Sequence, residues 1–88
     1  MTKTEIEILS EQTNCPVVLM PHRKYPGVVL QGDSLKILLG LAEELCDLDG
    51  NTSRRELAEI ATSLKEKLAG YVENYEQTML AKGLKLPY

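Results

Sequence analysis

The feature that most constrains the fold is one apolar helical face that continues from Leu57 to Met79. Its members recur at three- and four-residue spacing, as on a half-buried helix: Leu57, Ile60, Ala61, Leu64, Leu68, Tyr71, Val72, Tyr75 and Met79. A continuous helix from Ser53 to Lys82 would be roughly 45 Å long at 1.5 Å per residue. A compact domain of 88 residues is only about 30 Å across. The pattern therefore predicts either a break near Gly70 or a half-helix that projects from the domain.

A projecting half-helix has to bury its apolar stripe against another protein surface. The stripe in that half consists of Tyr71, Val72, Tyr75 and Met79. A second copy of the chain is the simplest partner, because most soluble oligomers are symmetric homo-oligomers. We therefore expect a homodimer that forms through these four residues.

The first third of the chain has the pattern of short strands. Glu5–Leu9 alternates polar and apolar residues, which predicts a strand with Ile6 and Ile8 facing inward. Val17–Met20 and Val28–Gln31 are apolar runs bounded by proline, glycine or polar residues. The loop of about six residues between these two runs favours an antiparallel pair, because a parallel pair needs a much longer crossover.

Two helices should follow the strands. Asp33 is placed to cap the first helix, which should end near Cys46–Leu48, and its buried stripe is predicted to contain Leu35, Leu38, Leu39, Ala42 and Leu45. Ser53 and Glu56 fit a capping box at the start of the second helix, and Gly83 fits its C-terminal cap. The expected fold is α+β, a single domain over 1–88. A small, mainly antiparallel three-stranded sheet carries two helices on one face, in the order β-β-β-α-α, and the second helix is long.

Charge and composition exclude several function classes. The net charge is −3 with a pI near 5.1, which argues against a general affinity for nucleic acid or for anionic membranes. No apolar run approaches the roughly 20 residues that span a bilayer, and the N-terminus does not resemble a secretory signal. We therefore expect a cytoplasmic protein in which Cys15 and Cys46 are reduced. One histidine and two cysteines are too few for a soft-metal site, and we expect no metal and no cofactor.

Two motifs suggest chemistry but have simpler explanations. Gly32–Leu35 reads GDSL after an apolar strand, as in GDSL-type esterases, where the serine is the nucleophile. Those enzymes also carry an Asp-x-x-His pair near the C-terminus, whereas the only histidine here, His22, lies upstream of Ser34. Without a general base the serine is not activated. We therefore expect no enzyme, and a small hydrolase that uses Ser34 is the weakest alternative.

The second motif resembles the later part of an EF-hand loop between the two helices. Asp47, Asp49, Gly50 and Glu56 would take its third, fifth, sixth and twelfth positions. The first position, however, would be Leu45, which cannot bind calcium. A helix-ending turn followed by a capping box explains the same residues, so we expect no metal here.

The densest basic cluster of this acidic chain is His22–Tyr25, which we call the basic loop and which lies between Pro21 and Pro26. Preorganised cations beside an aromatic ring suit a small anionic ligand, a carboxylate-bearing ligand or an acidic partner surface. A solvated hairpin loop with Tyr25 folded onto the sheet is the simpler interpretation. The candidate ligand- or partner-binding residues are His22, Arg23, Lys24, Tyr25, Gln31 and Asp33.

An acidic cluster offers an alternative surface at the end of the first helix. It contains Glu43, Glu44, Asp47 and Asp49. Small acidic domains can block a basic active site by charge complementarity. The alternative function is therefore an immunity- or antitoxin-like inhibitor that uses these acids.

The segment PHRKYPGVVLQGDSLKILLGLAEEL, Pro21–Leu45, resembles the central block of a family of small uncharacterised bacterial proteins. The resemblance lies in the proline-bracketed basic loop, the valine-rich strand and the Gln-Gly-Asp-Ser turn. It covers roughly the first fifty residues, implies a bacterial cytoplasmic protein and brings no catalytic residues. The sequence as a whole favours a non-enzymatic binding or interaction module.

Overall fold

The computed structural model describes residues 2–10, 15–48, 50 and 52–88. Along the chain it contains β1 (Glu7–Ser10), β2 (Val17–Leu19), β3 (Gly27–Val28), α1 (Gly32–Cys46) and α2 (Arg54–Ala81). This is the predicted α+β order, with three antiparallel strands in an open sheet followed by two helices. The chain divides into two compact units: a sheet unit formed by Met1–Leu30 and Tyr71–Tyr88, and a helical unit formed by Gln31–Gly70.

The sheet has the strand order β1-β2-β3, with β2 in the centre. Val17 and Val18 point to opposite sides of β2, and both are buried. The inward prediction for Ile6 and Ile8 is wrong, because both side chains are exposed and Ile6 precedes β1. The ladder between β1 and β2 shifts register between Ile8 and Ser10, and such an irregularity changes which side chains face the core.

The loop between β2 and β3 begins with a tight turn. The N–H of Arg23 donates to the carbonyl of Met20 over 3.2 Å. Pro21 and His22 occupy the two central positions, and His22 has a φ of 65°. Proline followed by a residue of positive φ is the pattern of a type II turn, in which glycine or asparagine is the favoured third residue. The basic loop therefore starts from a strained histidine.

The C-terminal part of α2, from Tyr71 to Ala81, belongs to the sheet unit. The side-chain amide of Asn74 donates to the carbonyl of Cys15 at 2.7 Å. Met79 is 1% exposed and forms the core of this unit with Cys15, Val17 and Val18. Met79 is thus a core residue, and its assignment to a homodimer surface is wrong, because this side chain is already covered within its own chain.

A Schellman motif ends α2. The N–H of Gly83 donates to Leu80 and the N–H of Leu84 donates to Met79, at 3.0 and 2.9 Å. Gly83 has a φ of 67°, which an L side chain adopts only at a cost. The predicted C-terminal cap is confirmed, and it reverses the chain so that 84–88 leaves the helix axis.

In the helical unit, α1 begins two residues earlier than a cap at Asp33 would allow. The N-cap residue is Gln31, with extended backbone and no side-chain cap bond. Asp33 lies in the first turn, and its carboxylate accepts the N–H of Ser34 at 2.8 Å. The N-cap prediction for Asp33 is wrong, because Gly32 already has helical backbone. The third strand ends at Val28 and therefore does not reach Gln31 as predicted.

The apolar stripe of α1 is only partly covered. Leu38 is buried, whereas Leu35 and Leu39 are 57% and 50% exposed, so the predicted burial of those two residues is wrong. Packing of both helices on one sheet face stays a prediction.

The second helix is continuous over 28 residues and passes through Gly70 without a break. Ser53 caps it, because its hydroxyl accepts the N–H of Glu56 at 3.1 Å. Within the described ranges, neither helix is long and apolar enough to cross a membrane.

Candidate functional site

A groove of about 320 Å³ opens beside β3 in the sheet unit, and we call it the tyrosine groove. Three stretches of chain form its walls: the start of β3, the beginning of the sheet-unit part of α2, and the C-terminal tail. The lining residues are Pro26, Gly27, Val28, Tyr71, Val72, Tyr75, Pro87 and Tyr88. The surface is therefore built from aromatic rings, proline rings and valine side chains, with no charged group among them.

Two hydrogen bonds position the walls of the groove. The hydroxyl of Tyr75 donates to the carbonyl of Pro26 at 3.0 Å and joins α2 to the strand wall. The hydroxyl of Tyr88 donates to the carboxylate of Glu76 at 3.0 Å and joins the tail to α2. The bond of Tyr75 is partly buried and fixes its ring, whereas the bond of Tyr88 is exposed and Tyr88 itself is 75% exposed.

The basic loop leads directly into the groove through Pro26. The ammonium of Lys24 lies 5.4 Å from the ring centroid of Tyr25, within cation–π range. Burial raises the pKa of the Tyr75 hydroxyl, and the phenol of Tyr25 raises it further, so the two rings lie within electrostatic reach of each other. In the described part of the chain, the ion pair is Arg55–Glu59, and neither Arg23 nor Lys24 has a carboxylate partner. The strand wall of the groove is thus preceded in the chain by two cations, Arg23 and Lys24, which we call its basic rim.

The other predicted binding residues do not belong to this groove. Gln31 and Asp33 are exposed at the start of α1, in the helical unit. Among the acids of the alternative surface, Glu43, Glu44 and Asp47 are exposed at the end of the same helix. The fourth acid, Asp49, lies outside the described residues. Its predicted places in the acidic surface and in the EF-hand-like loop therefore lie outside them as well.

The two chemical motifs gain no support from their surroundings. Ser34 is partly buried in the first turn of α1, and the hydrogen bond found for it is the one from its N–H to Asp33. No group of three or more His, Cys, Asp or Glu residues in 2–10, 15–48, 50 and 52–88 could hold a metal ion.

The sequence did not identify the groove as a binding site. The sequence pattern predicts a dimer stripe for Tyr71, Val72 and Tyr75 and makes no prediction for Pro87 and Tyr88. The signal that could have found it is compositional, because all aromatic residues of the chain are tyrosines and three of the four, Tyr71, Tyr75 and Tyr88, lie in its last eighteen positions. What brings them to Pro26 is a contact across 49 residues of sequence, which no local pattern contains.

The chain belongs to a family of unknown function, DUF6959, whose model matches residues 1–88. The expectation of an uncharacterised family is confirmed, and the match extends over the whole chain rather than the first fifty residues. No curated protein and no solved structure matches the chain.

Proposed function

We propose that this protein is a non-enzymatic interaction module that binds an extended peptide segment of a partner protein in the tyrosine groove. The segment would carry a proline or aromatic side chain next to one or more acidic residues. One observation supports this assignment above all others: an uncharged groove of tyrosines and prolines continues through Pro26 into the basic loop, whose cations Arg23 and Lys24 have no carboxylate partner in the described part of the chain.

The composition of the groove favours a peptide over a small polar metabolite. Aromatic-lined grooves with proline are used to bind extended peptides, and tyrosine is enriched among residues that dominate binding energy. Tyr75 and Tyr88 are held by hydrogen bonds to Pro26 and Glu76. The half-buried Tyr75 therefore has little side-chain entropy left to lose on binding, which favours affinity.

The rim explains why the segment should be acidic. Arg23 and Lys24 are exposed in a chain with a net charge of −3, so the basic loop is a local exception to the overall charge. Carboxylates of a partner would be attracted to this rim and repelled by most of the remaining surface. Such complementarity contributes mainly to specificity and to the rate of association.

The test is a selection from a random dodecapeptide library displayed on phage, with the immobilised protein as bait. We expect enrichment of peptides that combine tyrosine, phenylalanine or proline with Asp or Glu. Tyr71→Ala should weaken the selected peptides by about tenfold or more. Arg23→Ala with Lys24→Ala should weaken them about three- to tenfold and reduce the salt dependence of binding.

Asp47→Ala is the matched control, because it removes an exposed charge from the alternative acidic surface and should leave peptide affinity unchanged. Failure to enrich any peptide, or enrichment of peptides that are insensitive to Tyr71→Ala, would contradict the proposal. Sensitivity to Asp47→Ala alone would favour the inhibitor alternative instead.

A further inference from the structure

We infer that the bound peptide adds to the sheet as a fourth strand, by hydrogen bonding to the free edge of β3 at Val28. This inference rests on the proposed function and specifies how the same groove would be used. It distinguishes strand addition from binding in which only the side chains of the peptide enter the groove.

The register of the ladder fixes the direction of the Val28 backbone groups. Val29 donates its N–H to the carbonyl of Pro16 at 2.9 Å, so Pro16 and Val29 face each other as a hydrogen-bonded pair. Hydrogen-bonded and non-hydrogen-bonded pairs alternate along an antiparallel ladder. The next pair, Val17 and Val28, is therefore non-hydrogen-bonded, and the N–H and C=O of Val28 point away from β2.

Those two groups face the outer edge of the sheet, where the described residues provide a partner for the carbonyl of Pro26 but none for the backbone groups of Val28. β3 is the outer strand of the order β1-β2-β3, and Val28 is 39% exposed. The opposite edge, β1, is interrupted by its register shift between Ile8 and Ser10, and bulges of this kind protect an edge against pairing. Of the two edges of the sheet, the one at β3 is thus the regular one.

The open edge and the tyrosine groove coincide at the same residue, because Val28 is part of the groove wall. A strand that pairs with Val28 would place alternate side chains on opposite faces, and one set would enter the groove. This is the division found in strand addition generally, in which the backbone supplies affinity and alternate pockets supply specificity.

The pairing would be short. Pro26, two residues before Val28 and therefore in the same orientation, has no N–H, and its carbonyl already accepts the hydroxyl of Tyr75. The backbone contribution would come mainly from the two groups of Val28. Each such bond corresponds to about a tenfold change in affinity, so removing one should be measurable without abolishing binding.

The experiment compares Val28→Pro with Val28→Ala, measured with the peptides from the phage selection. Proline removes the outward N–H and is tolerated on an edge strand whose N–H faces solvent, whereas alanine keeps the N–H and shortens the side chain. We expect Val28→Pro to bind about tenfold more weakly than Val28→Ala. A second measurement needs no variant: saturating peptide should slow hydrogen exchange of the Val28 amide.

Equal affinity of the two variants, together with unchanged exchange at Val28, would overturn strand addition. The proposed function would survive that result if Tyr71→Ala still weakened the peptides. A dimer in analytical ultracentrifugation that Val28→Pro dissociates would also overturn the inference, since a second copy of the chain would then occupy the edge.

Discussion

Asn74 makes a hydrogen bond that joins α2 to Cys15, two residues before β2, and its removal is a direct test of how the sheet unit is held together. Its amide nitrogen lies 2.7 Å from the carbonyl oxygen of Cys15, 59 residues away in sequence. Cys15 is 4% exposed, so water reaches this carbonyl poorly. Asn74→Ala would therefore leave a buried acceptor without its donor.

The magnitude follows from two opposing effects. An unsatisfied buried acceptor costs about 1–3 kcal/mol, whereas alanine is a better helix former than asparagine by up to about 0.7 kcal/mol. The net loss in the free energy of unfolding should be about 1–2 kcal/mol. For a chain of this size that corresponds to a fall in Tm of roughly 5–15 °C.

The assay is urea unfolding followed by tyrosine fluorescence. All four tyrosines, Tyr25, Tyr71, Tyr75 and Tyr88, lie in the sheet unit, so the signal reports that unit and not the helical one. Gln77→Ala is the matched control on the same helix, because it removes an exposed bond to Glu73 at 3.1 Å that is worth about 0.2–0.5 kcal/mol. If Asn74→Ala were no less stable than Gln77→Ala, the bond to Cys15 could not be what joins the helix to the sheet.

Five further outcomes are expected. His22→Gly should raise the Tm by about 2–8 °C, since relief of 1–2 kcal/mol of left-handed strain exceeds the added backbone entropy; an unchanged or lower Tm would mean that the turn is not strained. Ser53→Ala should lower the helical content and cost about 1 kcal/mol in circular-dichroism unfolding, unless another group caps α2. An aromatic disulfide reagent should modify the exposed Cys46 quickly and the buried Cys15 slowly. Burial raises the pKa of the Cys15 thiol, and the bond with Asn74 offsets this in part. The stability that the buried neutral thiol contributes is therefore complete below the unfolded thiol pKa of about 8.5. It is lost as the pH rises through the pKa of the folded state. Cys15→Ala should remove that part of the alkaline destabilisation. A fluorophosphonate probe should not label Ser34, and labelling would restore the hydrolase alternative.

Local patterns predicted the elements whose causes are local. Ser53 and Gly83 were identified as caps, and both make the cap hydrogen bonds expected of them. Pro16 and Pro21 bracket an apolar run that contains β2. The short third strand and the early start of α1 were not predicted. The chain leaves the sheet after Val28, and the apolar pattern of Val28–Gln31 does not indicate the residue at which strand pairing ends.

The groove could not be predicted, because its walls come from distant parts of the chain. Pro26 and Tyr75 are brought together by tertiary structure, and Gly83 turns the tail out of the helix so that Pro87 and Tyr88 complete the site. The helical period at Tyr71 and Tyr75 indicated correctly that this face is apolar. It could not indicate whether the face meets the core, a partner or a groove. In the structure Met79 is buried, Tyr75 is hydrogen bonded to the strand wall, and Val72 is about half exposed.

The turn at His22 favours a function for the basic loop that hydration alone does not explain. A glycine at this position would fit a φ of 65° without strain, and a solvated loop gains nothing from an imidazole held there. Strained backbone persists where the surrounding structure enforces it, and it is concentrated at binding and catalytic sites. In this loop the strained turn comes directly before Arg23 and Lys24 and thereby fixes the backbone direction at the start of the basic loop. If that direction presents the cations to a peptide in the groove, His22→Gly should raise the Tm and lower the affinity for the selected peptides. A loop with only a structural role would not change stability and peptide affinity in opposite directions.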